Sequence, residues 1–284
     1  MAKNYKAELT GVFGQPVAEN PTGVMQEAAF QACGLDWRYL TMEVSPANLA
    51  DAFRGLRAIG MKGVNLTIPH KVAVIPLLDE LSREAALIGA VNTVINRDGK
   101  LIGENTDGKG FLRGLRQDAG INPQGKSVVI LGAGGAARAI AAELLLAGVA
   151  QLHIVNRSEE RGLAMVDHLK AGTGKEITFE AWTGTYLVPS DVDVLVNATS
   201  IGLYPNVNDM PDVSLAAAKG DLLVCDAVFN PPMTPLLALA KDRGLPILDG
   251  LSMLVYQGVI GFERWTGQQA PEAAMKEALR NALL

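Results

Sequence analysis

The chain has 284 residues, of which 49% are hydrophobic and 19% are charged, and it carries a formal net charge of −5. This length and apolar content predict two ordinary domains with sizeable cores, and the acidic balance argues against nucleic-acid and anionic-membrane partners. The two cysteines and three histidines show no metal-ligand spacing, so we expect no metal site and no disulfide. The N-terminus has no apolar stretch and the apolar run over 141–150 is too short to span a bilayer, so we expect a cytoplasmic protein. No pattern in the sequence indicates the oligomeric state, and both a monomer and a homodimer stay open.

Strand and helix patterns alternate along the first hundred residues. The predicted elements are a strand ending near Phe13, a helix over 24–33, a strand over 39–44, a helix over 47–59 and a strand over 63–68. Alternation of this kind is typical of a sheet with crossover helices. We therefore expect the first half of the chain to form an open α/β sheet.

The pattern restarts after a predicted helix over 108–117 and a polar linker near residue 122. Apolar strands are predicted over 127–131, 151–156, 192–198 and 222–228, with helical or loop stretches between them. That spacing is typical of a parallel sheet covered on both faces. Two predicted helices over 252–284 have no strand left to build, so we expect them to return to the first domain.

These elements predict an α/β protein of two domains. The first is an open α/β substrate domain formed by residues 1–107 and 243–284, and the second is a Rossmann domain over 108–242. We expect the active site to lie in the cleft between them.

A glycine-rich loop follows the first strand of the second domain. The strand runs into Gly132-Ala133-Gly134-Gly135-Ala136-Ala137 and then into a predicted helix, which is the context of the dinucleotide-binding fingerprint. Gly132 permits the tight turn, and Gly134 lets backbone N–H groups approach a pyrophosphate. A loop selected only for close packing is the alternative, and the strand before it and helix after it argue against that.

The end of the next strand indicates which dinucleotide binds. It reads Asn156-Arg157-Ser158, with Arg161 one helical turn further on. The strand end itself has no acidic residue that could hold a ribose 2′-hydroxyl. Two arginines are suited to a 2′-phosphate, so the sequence favours NADP over NAD. In the alternative interpretation, both arginines are solvated charges that pair with Glu159 and Glu160.

Two short segments place polar residues at strand ends. They are Asn65-Leu66-Thr67-Ile68-Pro69-His70-Lys71 and Gly103-Glu104-Asn105-Thr106-Asp107-Gly108. Strand ends are where ligands bind in open α/β sheets, so these segments can be interpreted as an active-site set. Each segment alone also fits a surface lysine or an Asp-Gly turn.

The combination of motifs resembles the shikimate and quinate dehydrogenase family over nearly the whole chain. Besides the segments above, the shared motifs are Ala90-Val91-Asn92-Thr93, Asn197-Ala198-Thr199-Ser200-Ile201-Gly202, Asp226, Thr234-Pro235-Leu236-Leu237, Gly250 and Met253-Leu254-Val255-Tyr256-Gln257-Gly258. The resemblance implies reversible reduction of 3-dehydroshikimate to shikimate by NADPH, a step of the chorismate pathway to aromatic amino acids.

The resemblance also implies roles for individual residues. Lys71 and Asp107 would be the catalytic pair, in which the aspartate favours the charged lysine and the two titrate as a coupled unit. The implied substrate-binding set is Asn20, Thr22, Thr67, Asn92, Phe229 and Gln257. The implied cofactor-binding set is Gly132, Gly134, Gly135, Ala136, Asn156, Arg157, Arg161, Thr199, Ser200, Val228, Gly250 and Met253.

The chain departs from the family pattern on the substrate side. Asn20 and Thr22 stand where the family has two serines that bind the substrate carboxylate, Glu19 replaces a histidine, and Phe229 replaces a tyrosine. Asn20 and Thr22 retain hydrogen-bond donors, whereas Phe229 has none. The alternatives are therefore a relative that acts on quinate, aminoshikimate or another cyclic polyol, and a non-catalytic NADP-binding regulatory protein. The retained catalytic pair argues against the regulatory role.

Overall fold

The computed structural model describes residues 5–283, and the chain divides into two compact units. Unit 1 contains the chain up to Thr106 together with the part that begins at Gln257, and unit 2 runs from Asp107 to Tyr256. The first boundary lies next to the one predicted after residue 107. The sequence places the second boundary after residue 242, whereas the compact units divide after Tyr256, inside a continuous helix.

Helices and strands alternate through both units. The helices are α1 (Thr22–Ala32), α2 (Leu49–Ile59), α3 (His70–Ala73), α4 (Arg83–Ile88), α5 (Asp107–Gln117), α6 (Gly135–Leu146), α7 (Glu159–Thr173), α8 (Pro235–Asp242), α9 (Gly250–Thr266) and α10 (Glu272–Leu283). The strands are β1 (Glu8–Gly14), β2 (Trp37–Glu43), β3 (Gly63–Leu66), β4 (Glu80–Leu81), β5 (Thr93–Arg97), β6 (Lys100–Glu104), β7 (Ser127–Leu131), β8 (Gln151–Asn156), β9 (Thr178–Ala181), β10 (Tyr186–Leu187), β11 (Val194–Asn197), β12 (Val213–Ser214), β13 (Leu223–Asp226) and β14 (Ile247–Leu248). Among residues 5–283, no helix combines the length and apolarity needed to cross a bilayer.

The sheet of unit 1 is mixed, with the strand order β2-β1-β3-β5-β6-β4. β1 runs parallel to β2 and β3, but β5 is antiparallel to both β3 and β6. The pair β5 and β6 is a hairpin that turns at Asp98, with φ 53°, and Gly99, with φ 92°, as a two-residue type I′ turn requires. The predicted α/β class is confirmed, and the hairpin is an addition that was not predicted.

The extent of helix α2 in unit 1 follows from its local sequence. Leu49, Phe53 and Leu56 recur at helical spacing and are buried in the core cluster of this unit. Gly60 ends the helix in the left-handed conformation, with φ 70°, which a residue with a side chain rarely adopts. The apolar face and the glycine together fix the extent of the helix.

Helix α10 and the part of α9 that begins at Gln257 belong to unit 1, whereas the first turns of α9 belong to unit 2. Trp265 of α9 donates its Nε1–H to the carbonyl oxygen of Val94 at 3.0 Å. The ring of Phe262 stacks on Phe30 of α1 with 5.6 Å between ring centroids. These contacts attach the end of the chain to the hairpin and to the first helix.

The sheet of unit 2 has the strand order β14-β13-β11-β7-β8-β9, and the paired strands are parallel. Leu131, Val155, Leu195 and Val224 lie in one buried cluster on this sheet. Strands buried on both faces read as continuous apolar runs, which is why the sequence predicted them. The Rossmann-type parallel sheet is confirmed.

Helices α5 and α6 pack closely at Gly108. A Cβ atom added at this position would overlap the carbonyl oxygen of Ala139 and approach the side chain of Glu143 to 2.8 Å. Glycine at 108 therefore permits the close packing of the first helix of unit 2.

Candidate active site

The polar segments predicted to carry chemistry meet at one edge of the unit 1 sheet. β1 and β3 are parallel, so the loop with Asn20 and the segment 67–71 follow their carboxyl ends. β5 is antiparallel to β3 and begins at this edge, directly after Asn92. β6 is antiparallel to β5 and ends there, directly before Asn105 and Thr106. The topology thus brings segments that are distant in the chain to a single edge.

The N-terminal loop presents hydrogen-bond donors at this edge. The Thr22 N–H donates to Asn20 Oδ1 at 3.0 Å, which orients the amide so that its Nδ2 retains its donors. Within residues 5–283, Asn20 Nδ2 has no hydrogen-bond partner. Thr22 begins α1, whose first turn has no acidic residue and no side-chain cap from Pro21. The positive end of α1 and the Asn20 amide therefore favour an anion or a hydrogen-bond acceptor here.

A buried hydrogen-bond network holds Asn92 in place. The Thr106 N–H donates to Asn92 Oδ1 at 2.7 Å, and Asn92 Nδ2 donates to Thr106 Oγ1 at 3.0 Å. Behind them, Asn65 Nδ2 donates to Thr93 Oγ1 at 3.0 Å, and Tyr39 Oη donates to Asn65 Oδ1 at 2.7 Å. Burial raises the pKa of Tyr39, so its hydroxyl stays protonated. The network fixes the segment that leads into α5, and its Tyr39, Thr93 and Thr106 were not among the predicted site residues.

The predicted catalytic pair has one member in each compact unit. Lys71 lies in α3 and is half-buried. The Val91 N–H donates to the Lys71 carbonyl oxygen at 2.8 Å, which ties α3 to the chain just before Asn92. Asp107 is half-buried and begins α5 in unit 2. The pairing of Lys71 with Asp107 stays a prediction.

The other predicted substrate residues lie in both units. Thr67 is half-buried next to the end of β1, where a Cβ atom at Gly14 would overlap its Cγ2. Gln257 is buried in α9 and belongs to unit 1. Phe229 is half-buried after β13 and belongs to unit 2. Thr67 and Gln257 thus belong to the same unit as Lys71, and Phe229 does not.

The glycine loop leaves room for a ligand at the start of α6. Gly132 has φ 112°, and a Cβ there would lie 3.0 Å from the Ala198 carbonyl oxygen, so the turn requires glycine. Gly134 and Gly135 are exposed, and a Cβ at either would meet open space. Ala136 is half-buried beside them, and the first turn of α6 has no acidic residue. A pyrophosphate fits this arrangement of exposed backbone and positive helix end.

The two arginines after β8 are available to an anion. Arg157 and Arg161 are exposed, and neither guanidinium makes a salt bridge or side-chain hydrogen bond within residues 5–283. Asn156 Nδ2 donates to the Ser158 carbonyl oxygen at 2.8 Å, and Ser158 caps α7. The alternative in which the arginines pair with neighbouring glutamates is therefore not what the structure shows. Two arginines without another side-chain partner, after the strand next to β7, fit a 2′-phosphate.

A second buried network holds the loops after β11 and β13. Thr199 Oγ1 donates to Asn197 Oδ1 at 2.7 Å, and Asn197 Nδ2 donates to Asp226 Oδ1 at 3.0 Å. The Val228 N–H donates to Asp226 Oδ1 at 2.9 Å, and Thr234 Oγ1 donates to Asp226 Oδ2 at 2.7 Å. Asp226 thereby positions Thr199 and Val228, which are two of the predicted cofactor residues.

Three further predicted cofactor residues belong to unit 2. Ser200 is exposed after β11, and Met253 is half-buried in the first turns of α9. Gly250 begins α9, where a Cβ atom would overlap the Val228 carbonyl oxygen. Glycine at 250 therefore permits the close approach of α9 to the chain after β13.

Asp226 should make the stability of the protein depend on pH. Burial raises the pKa of its carboxyl from 3.8 to about 6, although three hydrogen bonds act in the opposite direction. The folded state then binds the proton more tightly than the unfolded state, so the stabilising contribution of protonated Asp226 is complete at low pH and is lost as pH rises through 6. Asp226→Asn should remove this pH-dependent contribution. The free energy of unfolding of the variant minus that of the parent should therefore be about 1 kcal/mol more favourable to the variant at about pH 7 than at about pH 5. Urea unfolding at both pH values measures the difference, and a difference that does not change with pH would show that Asp226 has an ordinary pKa.

The fold and the two sites define a class of protein, namely a two-domain α/β protein with a Rossmann dinucleotide-binding domain. Family models match most of the chain: "Shikimate dehydrogenase substrate binding domain" matches residues 12–94, "Shikimate / quinate 5-dehydrogenase" matches residues 115–226, and "Shikimate 5'-dehydrogenase C-terminal domain" matches residues 250–280. The chain belongs to the shikimate/quinate dehydrogenase family, which confirms the resemblance found in the sequence.

Individual relatives match the chain over nearly its full length. The shikimate dehydrogenase (NADP(+)) of Desulforamulus reducens is 43% identical over 278 residues, which are 97% of this chain and 96% of the relative. The ligand-free 5-ketofructose reductase of Gluconobacter sp. strain CHM43 is 47% identical with a TM-score of 0.94, covering 98% of this chain and 100% of that one. The shikimate 5-dehydrogenase of Thermus thermophilus, solved with NADP(H) and shikimate, is 34% identical with a TM-score of 0.85, covering 97% and 100%. The relatives share one fold and are named for different substrates.

Proposed function

We propose that this protein is a cytoplasmic NADP-dependent shikimate dehydrogenase that reversibly reduces 3-dehydroshikimate to shikimate. The full-length similarity at 43% identity to an enzyme named shikimate dehydrogenase (NADP(+)) carries the proposal. The exposed glycine loop and the uncommitted Arg157 and Arg161 support NADP as the cofactor. Shikimate formation would place the enzyme in the supply of aromatic amino acids.

Lys71 and Asp107 carry the proton transfer in this proposal. Bound NADPH supplies the hydride that the reduction requires. The Lys71 ammonium donates a proton to the substrate carbonyl oxygen, and in the oxidative direction the neutral amine accepts the hydroxyl proton. The Asp107 carboxylate fixes the direction of the Lys71 ammonium, which requires the two side chains to come within hydrogen-bonding distance.

The edge of unit 1 recognises the rest of the substrate. The Asn20 Nδ2 donors, the Thr22 hydroxyl and the start of α1 bind the carboxylate. Thr67 lines the pocket beside Lys71, while Asn92 and Gln257 hydrogen-bond the ring hydroxyls. Phe229 contributes contact area without a donor, so one polar contact of the family pattern is lost.

A second candidate function is reduction of an uncharged polyhydroxy ketone. The observation in its favour is the 47% identity to a protein named 5-ketofructose reductase, together with the loss of both serines at positions 20 and 22. An amide at position 20 can donate to a neutral hydroxyl or carbonyl oxygen as well as to a carboxylate. Glu19, beside it in the chain, would disfavour a carboxylate on electrostatic grounds.

Initial rates distinguish the candidates. The purified chain is assayed with shikimate and quinate against NADP⁺ and NAD⁺, and with 5-ketofructose against NADPH and NADH. If the proposal is right, shikimate with NADP⁺ has the highest kcat/KM among the oxidation assays. This kcat/KM should also be higher than the kcat/KM for reduction of 5-ketofructose with either NADPH or NADH. A higher kcat/KM for 5-ketofructose favours the second candidate, and binding of NADP⁺ without any turnover would indicate a regulatory protein.

A double variant sharpens the comparison. Asn20→Ser with Thr22→Ser restores the residues that the family has at these positions. If shikimate is the substrate, kcat/KM for shikimate should change by no more than about fivefold, equivalent to about 1 kcal/mol for one hydrogen bond. A much larger gain for shikimate, with a loss for 5-ketofructose, would show that the natural residues select an uncharged substrate.

A further inference from the structure

Unit 2 contains a second cavity, distinct from the glycine loop. Its volume is about 730 Å³, within the range of roughly 300–1,000 Å³ that is usual for small-molecule sites. Ser127 and Gln151, the first residues of β7 and β8, line it. The glycine loop follows the last residue of β7, Leu131, at the opposite end of the strand. The cavity is therefore not part of the dinucleotide site.

The cavity carries negative charge. Its lining includes Glu176, Glu180 and Asp191, but no lysine or arginine. Glu176 is paired with Lys170 at 3.2 Å, whereas within residues 5–283 neither Glu180 nor Asp191 makes a salt bridge to a lysine or arginine. A nearby cation outside the lining, Lys219, interacts electrostatically with Asp191, but its Nζ contacts Asp193 Oδ1 at 2.6 Å.

His153 adds no positive charge to this cavity at neutral pH. Burial lowers the pKa of its imidazole, although Glu180 acts in the opposite direction. Its Nδ1 lies 2.7 Å from Thr178 Oγ1, and its Nε2 lies 3.5 Å from Glu180 Oε2. The neutral ring is thus held between Thr178 and Glu180 in the lining of the cavity.

Tyr186 presents a hydroxyl that lacks a protein partner. Its side chain is 5% exposed and lines the cavity, and its ring stacks on His153 with 6.1 Å between centroids and 23° between planes. Within residues 5–283 the hydroxyl makes no hydrogen bond. Burial, with Glu180 and Asp191 nearby, raises the pKa of Tyr186 to about 12, so the group stays protonated. Because Tyr186 lines the cavity, its hydroxyl oxygen can accept a hydrogen bond from a ligand bound there.

We propose that this cavity binds a small organic ammonium ion with an apolar body. The ammonium would donate to Glu180, Asp191 and the Tyr186 hydroxyl, because three N–H donors match three oxygen acceptors. The apolar body would pack on the stacked rings and on the hydrophobic part of the lining, which comprises Val129, Leu152, Leu187, Pro189 and Val192. Ring faces also attract cations directly. The site is independent of the proposed catalytic function.

Calorimetric titration of the full chain tests the site. Benzylammonium is the probe, and benzyl alcohol is its uncharged counterpart of nearly equal size. We expect saturable binding of benzylammonium and none of benzyl alcohol. Glu180→Gln should weaken benzylammonium binding at least about tenfold, as expected for loss of a charge-assisted contact, while Asp242→Asn, an exposed carboxylate at the end of α8, should leave it unchanged.

Further measurements test whether benzylammonium binds in this cavity. Tyr186→Phe should also weaken binding, and it replaces Glu180→Gln as the decisive variant if the latter fails to fold by circular dichroism. Saturation with NADP⁺ should leave the affinity for benzylammonium unchanged. Absence of saturable binding, equal binding of the alcohol, competition with NADP⁺, or full affinity in the folded variants would each overturn the proposal.

Discussion

Lys71→Met should lower kcat with the physiological substrate by roughly 10²- to 10⁴-fold, the usual contribution of general acid–base catalysis. Methionine keeps much of the length of lysine but has no proton to donate. The position of α3 should not change, because the contact that holds it uses the Lys71 backbone carbonyl and the Val91 N–H. Steady-state rates measure the loss, and the Kd for NADP⁺ should stay within about twofold because the cofactor residues lie in unit 2.

Lys241→Met is the matched control for this experiment. Lys241 is an exposed lysine of α8 with no proposed role, so its replacement should leave kcat unchanged. Asp107→Asn should lower kcat as well, since it removes the carboxylate proposed to orient the Lys71 ammonium. Activity of Lys71→Met within about fivefold of the parent would mean that another group transfers the proton.

Arg157→Ser should raise KM for NADP⁺ by roughly 10- to 100-fold and leave KM for NAD⁺ nearly unchanged, because a charge-assisted pair with the 2′-phosphate is worth about 1.5–3 kcal/mol. Arg157 is exposed and makes no salt bridge within the described chain, so the replacement should not affect folding. Initial rates at varied NADP⁺ and NAD⁺ give the ratio of kcat/KM values. Arg161→Ser should act in the same direction.

Arg243→Ser controls for the loss of one positive charge. Arg243 is an exposed arginine after α8 and should show no change in cofactor preference when it is replaced. An equal loss with NADP⁺ and NAD⁺ in Arg157→Ser would indicate general damage to the site. An unchanged ratio of the two cofactors would show that Arg157 does not contact the 2′-phosphate.

Features that depend on neighbouring residues could be predicted from the sequence. The strands over 127–131 and 151–156 have the predicted bounds. The first is an almost wholly apolar run, as a strand buried on both faces requires. The glycine loop was recognised because its chemistry is local, with a strand before it and a helix after it. The hairpin of β5 and β6 also had a local signal, the Asp98-Gly99 turn, which was overlooked.

Features that depend on distant residues were decided only by the tertiary structure. Tyr39 and Asn65 are 26 residues apart in the chain and share a buried hydrogen bond at 2.7 Å. Trp265 and Val94 are 171 residues apart and hold the C-terminal part of α9 in unit 1. The helix itself is uninterrupted, so it gives no local sign of the unit boundary after Tyr256. Tyr186 and His153 likewise stack only because β8 and the segment after β9 pack together. The sequence by itself thus determined the elements and the cofactor loop, whereas the pairing of buried polar groups was decided by the fold, since such groups can be satisfied by any partner that packing brings within reach.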